Sequence, residues 1–461
     1  MKRLFLIYAV LVLTGCKDKL DIKPDTSLVL PVTVQDFEAL LDNATVMNRT
    51  AALPHLSADE YIVPSLAVYN SLGSSITQNA YTWQADTYQG QGQILDWNIP
   101  YSQVFICNSV LDALTEQGVG SNAQKQRIQG WALFARAYAF YDLASTFCKA
   151  YNEEQAGTDL GIPLKLSAAV TDVQQRSTLS TTYQQIVDDA TRAAQLLQAE
   201  VPNDKRNRPS KVAAYALLAR VFTSMRDYQQ AEQAADLALA GYSKLIDYNT
   251  LVQRTNSSFT YNSEETIYFS HCENSLYAQL TSLASAAFYS ADPEFLKQYH
   301  PCDLRKSIYF RLNANGNYGY KGVNSVRAVP FTGLATDELI LIKAECLARR
   351  GEVATAMQLL DQLLVKRWNP NATMPATPYT PISVGNSQEA LDRVLLERRK
   401  SLIYRCIRWT DLKRLNLEGA NITLTRELGS QVYQLLPNSN RYAMPIPDDE
   451  IALSGIKQNN R

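Results

Sequence analysis

Six residues have the types and the setting for chemistry of contact and not of bond making. Asp59, Tyr69, Trp83 and Tyr88 lie in residues 53–93, a polar, Gly- and Tyr-rich stretch with no helical or strand period. Tyr277 and Tyr289 lie in a second aperiodic stretch, residues 249–328. Trp83 sits among Thr, Gln and Asp, so no apolar stripe accounts for it; it either packs under a lid or meets a ligand. The chain holds 26 Tyr against 13 Phe and 5 Trp. An excess of the aromatic that carries a hydroxyl suits faces that stay wet, beside the tyrosines that fill packing sites. Long loops without periodicity inside a helical domain are usually functional surface. The two stretches are therefore read as two walls of a binding site, with Asp59 supplying a polar contact.

Bond-making chemistry finds little support. The chain has no HExxH, GxSxG or P-loop pattern, and Gly90-Gln-Gly92 lacks the third glycine and the strand of a dinucleotide turn. A glycosidase needs two carboxylates flanking a cleft. Glu264 with Glu265, or Asp303, offers carboxylates, but adjacent acids on a solvated loop are the simpler reading. His271-Cys272 and His300-Pro301-Cys302 place two His and two Cys in the irregular middle, at a spacing that fits no zinc module. No metal, cofactor or catalytic residue is assigned, and the chain is read as a non-enzyme.

The elements that must position these residues are helical hairpins. Residues 210–242 read as two helices with a tight turn near Arg226-Asp227. Ala219, Phe222, Tyr228, Ala231, Ala235 and Ala238 fall on the spacing of a tetratricopeptide hairpin. Residues 338–368 repeat it, with Gly351 where a left-handed turn is needed. A third copy is split: residues 123–147 and 180–197 are its helices, with an insertion between them carrying Gly157, Gly161 and Pro163. One hairpin cannot bury both faces, so several must stack. Helices are also expected over 33–41, around Trp97–Leu111, and over 387–415, where Ser387 is the expected N-cap. Glu397, Arg398, Arg399, Arg405, Arg408, Asp411 and Arg414 there have the spacing of an ion-pair network. Residues 265–270 read as a short strand and 313–317 as a turn. The fold class is mostly α: a tetratricopeptide-like scaffold with long irregular loop insertions and a few short strands.

The chain of 461 residues is 46% hydrophobic and 19% charged, a globular balance, and its net charge of -1 gives no footprint for nucleic acid. At its start, Lys2 and Arg3 precede an apolar run over 4–13 that is too short to span a bilayer, and then Leu13-Thr14-Gly15-Cys16. That pattern is a lipobox: residues 1–15 are a lipoprotein signal peptide, cleavage falls before Cys16, and Cys16 carries the lipid. Several palmitate-class acyl chains on one residue anchor stably. Residues 16–30 then form a charged tether, 31–245 an N-terminal part with the helical repeats, and 246–461 a C-terminal part with the loop-rich insertion 249–328. Of the six remaining cysteines, Cys272 and Cys302 lie in the irregular middle and are open to pairing in an oxidising compartment.

Several segments together resemble the SusD/RagB family of Bacteroidetes surface lipoproteins. They are Gly130-Trp-Ala-Leu-Phe-Ala-Arg-Ala-Tyr, Gly161-Ile-Pro-Leu, Arg176-Ser-Thr, Tyr183-Gln-Gln-Ile, Lys211-Val-Ala-Ala-Tyr, Leu396-Glu-Arg-Arg-Lys, Arg408-Trp-Thr-Asp-Leu-Lys-Arg and Met444-Pro-Ile-Pro. Their order spans nearly all of the chain after Cys16. The chain departs from the family's pattern at Arg405, where Glu is common, and at Cys406, where Gly is common. The resemblance implies a lipid-anchored lid on a SusC-like TonB-dependent transporter of the outer membrane, exposed at the cell surface. It implies capture of a glycan for nutrient uptake or, in the alternative, of a peptide; a non-binding scaffold or a glycan-degrading enzyme is the lesser reading. Aromatic faces stack on the C–H faces of sugars, at about 1 kcal/mol each. The motif segments are scaffold in the family and add no site residues to the six named above.

Overall fold

The computed structural model describes residues 33–461, apart from 118–119, 170, 172, 255–256, 274, 276, 282–286 and 323–328. The expected signal peptide, tether and lipidation of Cys16 fall outside the described residues.

The framework is a stack of antiparallel helices. Helix α1 (Leu95–Gln117) packs on α2 (Asn122–Phe147), and α2 on α3 (Leu179–Leu196). Helix α4 (Lys211–Met225) packs on α3 and pairs with α5 (Tyr228–Gly241). Helix α6 (Thr336–Arg349) pairs with α7 (Val353–Leu364) and packs on α5 and α8 (Ser387–Ser401); α9 (Arg408–Leu417) follows. The hairpins are therefore where their spacing places them. The α4–α5 turn is closed by Arg226, left-handed at φ 66°, and by the Asp227 carboxylate, which accepts from the Gln230 amide. Gly351 adopts φ 92°, the conformation expected of it. Gly130 lets α2 and α3 touch: a Cβ there would lie 3.0 Å from Leu196 and Leu197 side chains. The insertion between α2 and α3 carries an antiparallel pair, Leu160–Pro163 with Arg176–Thr178. The expected strand appears as Thr266–Tyr268, and the turn at 313–317 joins Phe310–Leu312 to Tyr318–Tyr320.

Three expectations are corrected. Residues 53–93 are not one irregular loop; they hold short helices Leu53–Ser57, Leu66–Asn70 and Ser75–Tyr81. Each is too short to show a period, and each is set by local chemistry: Pro54 opens the first, and Ser65 and Ser74 cap the others. Helix α8 is capped by Asn386, whose side chain accepts from the Glu389 amide, and Ser387 is its first residue. Cys272 and Cys302 do not pair. Cys272 donates to the Glu273 carbonyl at 3.1 Å, and the Cys302 sulfur lies 3.6 Å from the Thr373 hydroxyl.

The C-terminal charges do form a network, and it ties the hairpins together. Arg414 bridges Glu345 (2.5 Å) and Asp411 (2.8 Å), Arg398 meets Asp411 (2.9 Å), and Arg220 of α4 meets Glu338 of α6 (2.6 Å). Arg405 reaches Asp337 at 3.6 Å and lies over the Phe331 ring at 4.5 Å. Its neighbour Cys406 is left-handed at φ 57°, a conformation that favours glycine.

Candidate functional site

The aromatic residues that the sequence offers as site walls are mostly packed inside the protein. Trp83 is 2% exposed, and Tyr88, Tyr277 and Tyr289 are 0–1% exposed. Each of the first three spends its polar atom on an internal acceptor. Trp83 Nε1 donates to the Ser57 carbonyl (2.9 Å), Tyr88 to the Pro445 carbonyl (2.8 Å) and Tyr277 to Asp96 (2.7 Å). Tyr289 packs between Tyr61 and Tyr404. Asp59 is bound by Arg399 (3.0 Å) and Arg408 (2.7 Å). Burial works against its charge, but the two guanidinium groups outweigh that and hold the carboxyl well below the usual range. Tyr69 is half-buried, its hydroxyl 3.2 Å from the Gln78 carbonyl. The two stretches do meet, through a buried joint: Asp96 accepts the amides of Leu53 (2.9 Å), at the start of one, and of its neighbour Ala52 (2.6 Å), and the Tyr277 hydroxyl from the other.

The reason for the aromatic cluster lies far along the chain. Arg426, in the strand Leu424–Leu428, is buried with its guanidinium 3.6 Å from the Tyr81 ring centre and 4.7 Å from that of Trp83. It donates to the carbonyls of Leu56, Ala58 and Tyr81. Trp83, Tyr81 and Tyr61 thus form the box of an internal cation, a stabilising arrangement once the cation is desolvated.

An open cleft of about 590 Å³ lies elsewhere, between residues 297–305, residues 364–382 and one face of α8. Arg393, Glu397 and Lys400 project from α8 at i, i+4 and i+7, a single helical face. Trp368 leaves the 3-10 turn Val365–Arg367 and is fixed by its Nε1 bond to the Thr377 carbonyl (2.8 Å). His300, which is exposed, stacks on it with ring centres 4.6 Å apart, and Tyr379 meets it edge-on at 5.6 Å. Trp368 and Tyr379 are half-buried, so aromatic surface reaches solvent here.

The cleft floor is charged and ordered. Arg305 donates to Asp303 (2.9 and 2.6 Å), to Glu397 (2.5 Å) and to the Ser401 hydroxyl (2.8 Å). Lys400 lies 3.1 Å from Glu397 and 3.6 Å from Asp303. Burial raises the proton affinity of both carboxylates, but Arg305 and Lys400, with Arg393 for Glu397, overcome it and hold both below the ordinary range. Neither is held protonated as a general acid must be. Aromatic faces above fixed ionic donors and acceptors suit reversible binding of a polyhydroxylated or peptide ligand. Of these residues, sequence reasoning singled out Glu397 for its charge, Asp303 as a carboxylate and His300 as a candidate metal ligand, a role the structure does not give it among the described residues. The one-face spacing of 393, 397 and 400, and a Trp just past a hairpin and before Pro370, were the signals available for the rest.

Glu265 is buried and not on a solvated loop, and it pairs at 2.6 Å with Arg367, which lines the cleft. Among the described residues no helix is long and apolar enough to cross a membrane, and no group of three or more His, Cys, Asp and Glu side chains is placed to hold a metal ion.

Residues 18–223 match a family model, SusD-like_3, described as "Starch-binding associating with outer membrane". No curated protein matches the chain. Solved structures similar to it include a putative sugar binding protein from Bacteroides vulgatus, 19% identical with a TM-score of 0.71, the match covering 93% of this chain and 99% of that one. A SusD-like carbohydrate binding protein from the same organism is 18% identical with a TM-score of 0.67, covering 92% and 97%. A SusD superfamily protein from Bacteroides thetaiotaomicron is 20% identical with a TM-score of 0.68, covering 93% and 100%. At these identities the likeness is one of fold.

Proposed function

We propose that the chain, whose residues 18–223 match the SusD-like_3 model and whose fold is that of SusD-like structures, is a SusD/RagB family member that captures a glycan at the outer surface of the outer membrane and passes it to a SusC-like TonB-dependent transporter, on which it sits as a lid held by lipid on Cys16. The observation that carries the capture step is the cleft, where Trp368, His300 and Tyr379 stand over the Arg305–Asp303–Glu397–Lys400 cluster. A sugar ring lies on an aromatic face through its C–H surface while ordered charges take its hydroxyls. Binding of this kind adds up to roughly micromolar to millimolar affinity, and a ligand that must leave again for the transporter is served by such values. The described residues of the cleft assign no bond-breaking step, since both floor carboxylates are ion-paired anions and a glycosidase needs one of its pair protonated.

Calorimetry of the full-length lipoprotein in detergent, against a glycan panel with a peptide pool alongside, tests this. The expected result is saturable binding to one glycan class and about tenfold weaker binding by Trp368→Ala, some 1.4 kcal/mol, in a variant that stays folded at the temperature of the titration. Undiminished affinity in Trp368→Ala moves the site away from the cleft. Binding of the peptide pool alone replaces the glycan by a peptide, and silence from both leaves a mechanical lid.

A further inference from the structure

The cleft is unequally charged, and the excess points at the ligand. This inference rests on the glycan-capture reading and goes on to name the class of glycan. Three cations of the cleft, Arg305, Lys400 and Arg393, share two carboxylates, Asp303 and Glu397. The other charges nearby do not cancel the surplus within the lining. Lys297 on the rim has its own partner in Glu294 (2.6 Å), and Arg367 has Glu265. Asp361 does not line the cleft; its oxygens accept from the Tyr379 hydroxyl (2.5 Å) and the Ile382 amide (3.1 Å).

Within the trio the surplus falls on Arg393. Arg305 is 2% exposed and makes four hydrogen bonds to Asp303, Glu397 and Ser401. Lys400 is 4% exposed and lies between both carboxylates. Among the described residues Arg393 is ion-paired with Glu397 alone, at 3.1 Å through one Nη, and Glu397 is already shared with Arg305 and Lys400. Its side chain is 40% exposed, so part of the guanidinium stays open to the cleft while the Nε is buried. A guanidinium fork with donors to spare, at the mouth of an aromatic cleft, matches the two oxygens of a carboxylate or sulfate. We infer that the ligand is an anionic saccharide, whose carboxylate or sulfate is taken by Arg393 while a sugar ring lies against Trp368.

The test uses matched polymers on the full-length lipoprotein: polygalacturonate against its methyl ester, and dextran sulfate against dextran, by affinity-gel retardation and calorimetry. The expected result is that one anionic member binds at least about tenfold more tightly than its neutral partner, a preference that shrinks between ~50 and ~500 mM salt. Arg393→Gln should abolish the preference and leave the Tm unaltered. The methyl-ester pair reads a carboxylate and the dextran pair a sulfate. Equal binding within both pairs, or a preference that survives Arg393→Gln, overturns the inference. If a wider panel shows saturable binding of neutral glycans only, the inference falls and glycan capture stands; if no glycan of either kind binds, both fall.

Discussion

Two aromatic regions of this protein have similar compositions and opposite surroundings. Around Trp83 the rings are buried, their polar atoms bonded to internal acceptors, and a cation from a distant strand, Arg426, is boxed among them. Around Trp368 the rings are half-buried, held by a local carbonyl, and open to a cleft with an ionic floor. The titrating groups follow their partners and not their region, since Asp59 in the first stretch is held low by Arg399 and Arg408. Burial, with Asp96 adding its charge, lifts Asp142 to about 8, and Asp96 itself is raised by burial. Asp303 and Glu397 in the cleft are held low by their cations. What separates structure from site is therefore the partner of each polar atom: a group committed to the fold on every side has nothing left for a ligand.

The largest effect expected from breaking that division is at Trp83. Trp83→Ala leaves a large cavity in the core and takes one of three rings from the box around Arg426, so stability should fall by about 3–5 kcal/mol. The surviving folded fraction should bind ligand as the wild type does. Thermal denaturation paired with calorimetry reads both, and a stable variant with weakened binding would return Trp83 to the site.

A smaller effect, of about 3 kcal/mol between pH 5 and pH 8, is expected at Asp142. Its carboxylate accepts the Ala51 amide at 2.9 Å, next to the Asp96 joint. Its folded pKa, about 8, lies above the roughly 3.9 of an unfolded Asp. The folded state thus binds the proton more tightly, and stability present below pH ~4 is lost as pH rises through 8. Asp142→Asn removes that slope, so its Tm should gain on the wild type steadily from pH 5 to pH 8. The cleft carboxylates, with lowered values, stay ionised throughout. A constant Tm difference would show that Asp142 ionises normally.

The division between the regions was only half legible in the sequence. The hairpins were, because Ala219, Phe222, Ala231 and Ala235 repeat at a period that local geometry enforces. The C-terminal charges were legible as a network for the same reason, since Glu397, Arg398, Asp411 and Arg414 share two helices. The burial of Trp83 was not. Its box closes with Arg426, 343 positions away, and no local pattern announces a partner at that distance. The joint through Asp96 has the same origin, taking Leu53 from one stretch, with its neighbour Ala52, and Tyr277 from another. Trp368 was passed over because it ends a hairpin that reads as scaffold; its exposure depends on how residues 370–382 fold back beside it.

The smallest effect sharpens the comparison inside the cleft itself, between two cations on its lining. Lys297 is 69% exposed along its side chain and paired three residues away with Glu294, itself 76% exposed. Such pairs contribute roughly 0–1 kcal/mol, because water already solvates both charges and salt screens what remains. Lys297→Ala should move the Tm by less than about 0.5 kcal/mol in equivalent stability, and should weaken an anionic ligand less than twofold. Arg393 faces the same solvent and holds only a share of Glu397, which also serves Arg305 and Lys400, so its substitution should cost far more affinity at equal cost in net charge. Running the two variants side by side against one anionic polymer separates a general field, to which both cations contribute alike, from a contact that only the unsatisfied guanidinium makes. Equal losses from Lys297→Ala and Arg393→Gln would reduce the cleft's selectivity to net charge, and the distinction between committed and uncommitted donors would then not decide where ligand binds.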